Sequence, residues 1–310
     1  MKTNKFIFLV GYLILIAILS CSNNDDPSIV EKETHLIFIG LDGWSGYDFE
    51  KTLSHMPHVN NYCMEGAYSD KKLAVLPTVS APNWASIFMG TTPDIHDYKK
   101  WDSKGPSAPY TFEVKNNIFP TISQALRIDK PMSEIGLFCQ WEGIKYLADT
   151  LSINHVSYIP LIETTSHSVF SDSISSYLKT FKPILCSIVF DDPDHTGHRK
   201  NYFSNDYYSI LEELDECISK IVMSIKDAGY YDDTVFIITS DHGGSGNSHG
   251  GETLEEKQTC FVIWGKGIRQ IGFFDDNLEQ QDIALIMAHI LDINIPKLWT
   301  GKPHNILFNN

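Results

Sequence analysis

Three short runs of uninterrupted apolar residues, each emptying into a polar turn, constrain this chain more than any other feature. Residues 35–40 (HLIFIG) lead into Leu41-Asp42-Gly43, and 184–190 (ILCSIVF) into Asp191-Asp192-Pro193-Asp194. Residues 234–239 (TVFIIT) lead into Ser240-Asp241-His242-Gly243. A strand with water on one face alternates apolar and polar residues; an unbroken apolar run is covered on both faces. Between these runs lie segments with helical signals. Residues 57–65 stop at Gly66, and 82–89 carry proline in the first turn, where its missing N–H costs nothing. Over 205–228, Ile210, Leu211, Leu214, Ile218, Ile221, Val222 and Ile225 keep one face, with Gly229 as the stop. Residues 67–75 suit a returning strand, and 120–128, 134–139 and 167–179 continue the alternation. The expected fold is α/β, a three-layer sandwich whose mostly parallel central sheet carries helices on both faces.

In such sheets ligands bind outside the carboxyl ends of the strands. Asp42, then Asp194 with His198, then Asp241 with His242 follow three different strands, and His249 comes a few residues later in a glycine-rich stretch. Three Asp and three His at one sheet edge would repel one another without cations. With two divalent ions they become two coordination spheres. Their nitrogen and oxygen donors suit zinc best, with manganese or iron as the alternatives.

Composition narrows the partners. The 310 residues carry 24 Lys+Arg against 39 Asp+Glu, a formal net charge of -15, with 43% hydrophobic residues. That describes a folded protein and disfavours a nucleic-acid polymer, whose binding needs clustered cations. At the N-terminus, Lys2 and Lys5 precede a mostly apolar stretch at 6–19, too short to span a bilayer as a helix. Ile18-Leu19-Ser20-Cys21 resembles a bacterial lipobox with Cys21 as the lipidated residue, and Ser22 to Asp26 follow as a polar, acidic leash. The expected organisation is a lipoprotein signal peptide at 1–20, a flexible tether at 21–34 and one catalytic domain at 35–310. The protein would then be exported and held by its lipid to an outer membrane, facing the periplasm or the cell surface. The remaining five cysteines form no CxxC spacing and read mainly as buried thiols.

Four motifs in order resemble the alkaline phosphatase superfamily, and within it the type I phosphodiesterases and nucleotide pyrophosphatases. They are Gly40-Leu41-Asp42-Gly43, the segment Leu76 to Trp84 (LPTVSAPNW), Asp194-His195-Thr196-Gly197-His198, and Ser240-Asp241-His242-Gly243. The resemblance covers the chain from about His35 to the Lys302 region. It implies that Asp42, Ser80, Asp241 and His242 hold one metal while Asp194, His198 and His249 hold the other. It also implies that Ser80, three residues before Asn83, is the nucleophile, with Asn83 donating to a phosphoryl oxygen. Thr78 is the rival nucleophile, at the wrong spacing to Asn83. The segment around His249 (GNSHGG) is instead similar to that of the phosphoethanolamine transferases that modify glycolipid anchors.

The chemistry asks for these residue types. A serine hydroxyl is a poor nucleophile at neutral pH, and a divalent metal lowers its pKa. Ser80 also falls just before a helix, whose N–H groups and dipole favour an anionic phosphoryl group. The implied activity is hydrolysis of phosphoric esters in a nucleotide, phosphodiester or phospholipid head group. A phosphomonoesterase, a phosphonate hydrolase and a phosphoethanolamine transferase are the alternatives on the same site, with a catalytically dead binding lipoprotein behind them. No equivalent of the phosphate-clamping Arg of the alkaline phosphatases is present, which favours diesters over monoesters, and the C/S-x-P-x-R string of sulfatases is absent. His195 is given no role, His96 reads as a core histidine, and Asp191 and Asp192 read as turn residues. Trp84, Tyr98, Trp101 and Trp141 read as core before substrate wall.

Overall fold

The computed structural model describes residues 33–162 and 165–309. The leader at 1–20, Cys21 and the tether up to residue 32 lie outside the described residues, so the lipid-anchor expectation is not addressed by the fold.

Eight strands form one sheet: β1 (His35–Leu41), β2 (Ala67–Leu73), β3 (Ile135–Cys139), β4 (His155–Tyr158), β5 (Leu185–Phe190), β6 (Thr234–Thr239), β7 (Gln258–Gly265) and β8 (Gly272–Phe273). Their order is β4-β3-β5-β1-β6-β7-β2-β8. β1 pairs in parallel with β5 and β6, as β3 does with β4 and β5, whereas β7 runs antiparallel to both β6 and β2. The three apolar runs of the sequence are therefore the three adjacent central strands. They are the most deeply covered, which is why their residues do not alternate.

Side-chain direction along β1 divides the core in two. Leu36 and Phe38 point into one apolar layer; Ile37, Ile39 and Leu41 point into the other. The first layer is completed by the helices Ser80–Met89, Ile122–Asp129 and Asp282–Ile290. The second is completed by Pro57–Glu65, His167–Phe181 and Asn205–Asp227. This is the alkaline-phosphatase-like three-layer sandwich. Local signals set the helix ends. The Ser204 hydroxyl accepts from the Tyr207 amide at 3.2 Å, a cap worth about 1 kcal/mol, and Gly229 takes φ 76° beyond the last turn. The cysteines at 63, 139, 186, 217 and 260 are buried and unpaired.

The helix that carries Ser80 and Asn83 begins two residues earlier than its sequence suggests, at Ser80. Pro82 is its third residue, where no intrahelical donor is required, so the helix extends back through it. Ser80 is thus in the first turn and not ahead of it.

Register brings the functional turns together. Gly40 is opposite both Val189 and Thr239, and Leu41 is opposite Phe190. The turns after β1, β5 and β6 consequently leave the sheet at one edge, side by side.

Candidate metal centre

At that edge the residues after the three strands converge with two arriving from elsewhere, Ser80 and His249. His242 Nε2 lies 3.6 Å from Asp42 Oδ1 and 3.2 Å from Asp241 Oδ2. Asp194 Oδ2 is 3.3 Å from His198 Nε2, and its Oδ1 is 3.5 Å from His249 Nε2. The two Nε2 atoms of His198 and His249 are 3.1 Å apart. Two overlapping donor groups result, Asp194–His198–His249 and Asp42–Asp194–His242, with Asp241 beside the second. Asp194 stands at the junction of the two groups, where the sequence had assigned it to one alone.

The second nitrogen of each ring explains why these Nε2 atoms face inward. His242 Nδ1 is 3.0 Å from the Gly243 carbonyl, His198 Nδ1 2.9 Å from that of Asn247, and His249 Nδ1 2.8 Å from that of Thr78. Each carbonyl holds the proton on Nδ1 and leaves Nε2 as a donor to a cation. Trp84 Nε1 donates to Asp42 Oδ2 at 3.0 Å, and the Gly43 amide donates to Asp241 Oδ1 at 3.1 Å. The opposite oxygens, Asp42 Oδ1 and Asp241 Oδ2, are buried with no hydrogen-bond partner. A buried carboxylate oxygen facing an imidazole lone pair is repulsive unless a cation joins them. The donor set therefore fits divalent metal.

Electrostatics carry the same sign. Burial, then Asp241 and Asp194, hold the Asp42 carboxyl well above the usual range. Burial, then Asp194, do the same to Asp241. Burial also pushes Asp194 upward, but His198, His242, His249 and Tyr202 outweigh it and bring it to about 2. The ion pair with Asp194 raises His198 to about 9, while burial and the neighbouring His249 lower His242 to about 3. Protonated, His198 supplies part of the positive charge that this donor set calls for.

Packing fixes these side chains. Gly43 has φ 76°, and a Cβ there would lie 2.8 Å from the Asp194 Cβ. Tyr202, unremarked in the sequence, donates its hydroxyl to Asp194 Oδ1. Beneath the site runs a buried polar network that the sequence also conceals. Lys72, fully buried, donates to the Ser240 carbonyl at 2.8 Å and to Gln280, and burial lowers its pKa to about 7. Gln280 in turn donates to the Asp241 carbonyl and, at 3.2 Å, to Asn83 Oδ1. A lysine in the string SDKKL reads as a solvated strand residue; no local signal marks it as buried.

Ser80 lines a cleft of about 420 Å³ together with Asp42, Asp191, Asp194, His198 and His249. Its Oγ lies 3.2 Å from His242 Nε2. Thr78 is committed elsewhere: it is fully buried, its hydroxyl donates to the Gly251 carbonyl at 2.8 Å and accepts from the Gly250 amide at 3.1 Å. It braces the His249 loop. Asn83 also departs from its expected place. Its amide nitrogen donates to the carbonyls of Val75, Pro77 and Val79 at 3.2, 3.1 and 2.9 Å, and its oxygen accepts from the Val75 amide at 2.8 Å. The side chain pins the loop ahead of Ser80 and has no donor turned toward the cleft. In the first helical turn Ala81 donates to the Trp101 carbonyl and Asn83 to that of Val79, while Pro82 has no N–H. Among the described hydrogen bonds this leaves the Ser80 amide for an anion.

The other expectations divide. His96 is buried between Ser86 Oγ at 3.0 Å and the Tyr98 amide at 3.1 Å, and burial lowers its pKa to about 3. His195 faces Arg199 on another side of its helix. Asp192 is a turn residue, accepting from the Thr196 amide and pairing with buried His167 at 3.0 Å. Asp191 is not merely one: it lines the cleft, and burial followed by Asp194 and Asp192 raises it to about 7. Trp84 and Tyr98 are core, but Trp101 and Trp141 are cleft walls.

A family model described as type I phosphodiesterase / nucleotide pyrophosphatase matches residues 36–262. The chain belongs to that family. Among curated relatives, GPI ethanolamine phosphate transferase 1 of Yarrowia lipolytica is 29% identical over 258 residues, 73% of this chain and 27% of that protein. Bis(5'-adenosyl)-triphosphatase enpp4 of Mus musculus is 22% identical over 224 residues, 67% of this chain and 46% of that one. The chain thus spans about a quarter to a half of the length of these two relatives. Among solved structures, murine ectonucleotide pyrophosphatase / phosphodiesterase 5 superposes with a TM-score of 0.72 at 14% identity, covering 89% of this chain and 100% of that one. This last likeness concerns the fold.

Proposed function

We propose that this family member is a metal-dependent phosphodiester hydrolase with Ser80 as nucleophile. One observation carries the proposal: Ser80 lines the cleft shared by both donor groups with its hydroxyl 3.2 Å from His242 Nε2, while the hydroxyl of Thr78 is already engaged. Two zinc ions suit the Asp/His donor set, with Asp42, Asp241 and His242 holding one and Asp194, His198 and His249 the other. When bound, such ions supply Lewis-acid stabilisation of the phosphoryl oxygens and make a hydroxyl acidic enough to react near neutral pH. The chain's own residues do the rest. The helix start and the Ser80 amide orient the phosphoryl group, and Trp84 and Tyr202 keep Asp42 and Asp194 in place. Ser80 Oγ attacks phosphorus, a phosphoseryl bond forms, and the alcohol departs with a proton. Water then cleaves that bond and restores the serine.

A second reading has its own support in the 29% identity to a GPI ethanolamine phosphate transferase. There the phosphoseryl group passes to an alcohol instead of water. We also propose, from the lipobox alone, that Cys21 anchors the protein to an outer membrane.

The test is turnover of bis-p-nitrophenyl phosphate against p-nitrophenyl phosphate by the metal-loaded protein. The diester should be the better substrate. Ser80→Ala should lose at least ~10³-fold in rate while remaining folded, and Thr78→Ala should retain measurable turnover. Near-normal turnover by Ser80→Ala would falsify the nucleophile assignment.

A further inference from the structure

We infer that Lys72 and Gln280 are positioning residues: through a relay of buried side-chain amides they hold both metal donor groups and Ser80 in one alignment. This role deepens the diesterase reading and rests on it.

The relay has a fixed direction. Gln280 lies just ahead of the helix Asp282–Ile290, in a segment laid along β2: its amide donates to the Leu73 carbonyl at 3.2 Å, and the Leu73 amide donates to the Leu278 carbonyl at 2.9 Å. Asp282 locks that segment, accepting from the Glu279 and Lys302 amides at 2.9 and 2.7 Å and pairing with buried His304 at 2.8 Å. The Gln280 side chain is thereby aimed under the turn after β6. There its Nε2 meets the carbonyls of Asp241 and, at 3.3 Å, Ser240, as well as Asn83 Oδ1 at 3.2 Å. Main-chain carbonyls only accept, so the NH2 must face them and Oε1 must face Lys72 Nζ. The Val75 amide only donates, so it fixes Asn83 Oδ1 as the acceptor and leaves the Asn83 NH2 for the carbonyls of Val75, Pro77 and Val79. Lys72 gives to Gln280, Gln280 to Asn83 and Asn83 to the loop, each direction set by backbone.

Its two ends lie under different donor groups. At one end Lys72 Nζ and Gln280 Nε2 converge on the carbonyls of Ser240 and Asp241, the backbone that carries the Asp241 and His242 side chains. At the other, the loop pinned by Asn83 contains Thr78, whose carbonyl is 2.8 Å from His249 Nδ1 and whose hydroxyl bonds to Gly250 and Gly251. The same loop leads into Ser80. A shift of the Gln280 amide therefore displaces Asp241 and His242 on one side, and His249 and Ser80 on the other. Lys72, Gln280 and Asn83 are all fully buried. An apolar filling of the same volume would avoid burying an amine and two amides, so stability is not what the network supplies. A fully paired polar network supplies one geometry, which apolar contacts enforce less strictly.

The test uses Gln280→Glu, nearly isosteric and able to pair with Lys72, which puts an acceptor where the relay needs a donor. Calorimetric titration with zinc should show both donor groups weakened ~10–100-fold, the range for losing a group that orients a ligand. On bis-p-nitrophenyl phosphate, kcat of the metal-loaded variant should fall at least ~10-fold with KM within ~2-fold of wild type. Lys72→Met and Gln280→Met interrupt one relay, so the double variant should lose little more than the worse single variant. Ile221→Ala, in the apolar layer of the helix Asn205–Asp227, is the control for lost stability: a lower Tm with unchanged zinc affinity and kcat. Weakening of one donor group alone, unchanged affinity in both, or additive losses in the two methionine variants overturns the relay. So does a lower Tm of Gln280→Glu with zinc affinity and kcat intact, the mark of a merely structural role. Weakened zinc binding at both groups in a protein whose wild type hydrolyses no ester leaves the relay standing and overturns the hydrolase.

Discussion

Replacing Asp241 by asparagine should make the metal-free protein more stable while weakening the hold of one of its two donor groups on metal. In the wild type, Asp241 Oδ1 accepts from the Gly43 amide, and Oδ2, buried and unpartnered, faces His242 Nε2 at 3.2 Å. That nitrogen is a lone pair, because the ring proton is held on Nδ1 by the Gly243 carbonyl. Asparagine keeps the accepting oxygen and puts an N–H donor where Oδ2 was. One hydrogen bond is gained, worth about 1 kcal/mol net, and a buried charge opposed by Asp194 disappears, worth at least as much again by the same scale of ~1–3 kcal/mol for an unsatisfied buried group. A gain of about 2 kcal/mol corresponds to a rise of ~4–8 °C in Tm for a domain of roughly this size. The pH dependence identifies the cause. The folded-state pKa of Asp241 is raised above its unfolded value near 3.8. Below about pH 4 the aspartic acid is protonated in both states, and its O–H serves His242 as the asparagine would. As pH rises through the raised folded value, the wild type loses stability and the variant does not. Calorimetry in chelator at pH 4 and pH 8 should show a small difference at the first and a larger one at the second. Added zinc should raise the Tm of the wild type more than that of the variant, which keeps the Asp194–His198–His249 group but loses a donor of the other. A variant less stable than wild type at pH 8, or a gap of equal size at both pH values, would refute the account of Asp241 as a ligand waiting for a cation.

Three further outcomes are expected. Trp84→Phe keeps the ring packing but removes the indole donor to Asp42, and should weaken metal binding ~10–100-fold in a calorimetric titration with little change in fold. Gly43→Ala combines a φ of 76° with an approach of 2.8 Å to the Asp194 Cβ; a loss of about 1–3 kcal/mol in urea unfolding and a lowered metal content per chain should accompany it. Cys21→Ser should leave the full-length protein unprocessed or release it from membranes, and normal maturation with membrane retention would rule out the lipobox.

Much of the site was legible in the residue string because strands buried on both faces leave an unmistakable apolar run, and the turn after such a strand has one exit. Asp42, Asp194 and Asp241 could be placed at a common edge from that rule before any pairing was known. The order β5-β1-β6 could not, since an apolar run does not say which other run it lies against, and β7 gave no sign that it runs antiparallel. Where a helix was read its start was legible to within two residues, Ser80 falling on the wrong side of one because proline is neutral anywhere in a first turn, but the helices Phe49–Ser54, Asp194–Lys200 and Asp282–Ile290 were not read.

What the sequence determined by itself is therefore the set of metal-binding residue types, their attachment to strand ends, and the apolar sheet that carries them. All of these follow from local chemistry and the periodicity of one chain segment. Tertiary structure alone decided how the remaining polar groups are used. Asn83 spends its amide on three carbonyls, Thr78 spends its hydroxyl on the His249 loop, and Lys72 is buried beneath Asp241. Asp191 and Trp141 become neighbours only because β3 pairs with β5 in one particular register. A side chain's hydrogen-bond capacity is printed in its name, but its partners can lie in segments 208 residues away, as Gln280 does from Lys72, and only packing chooses among them.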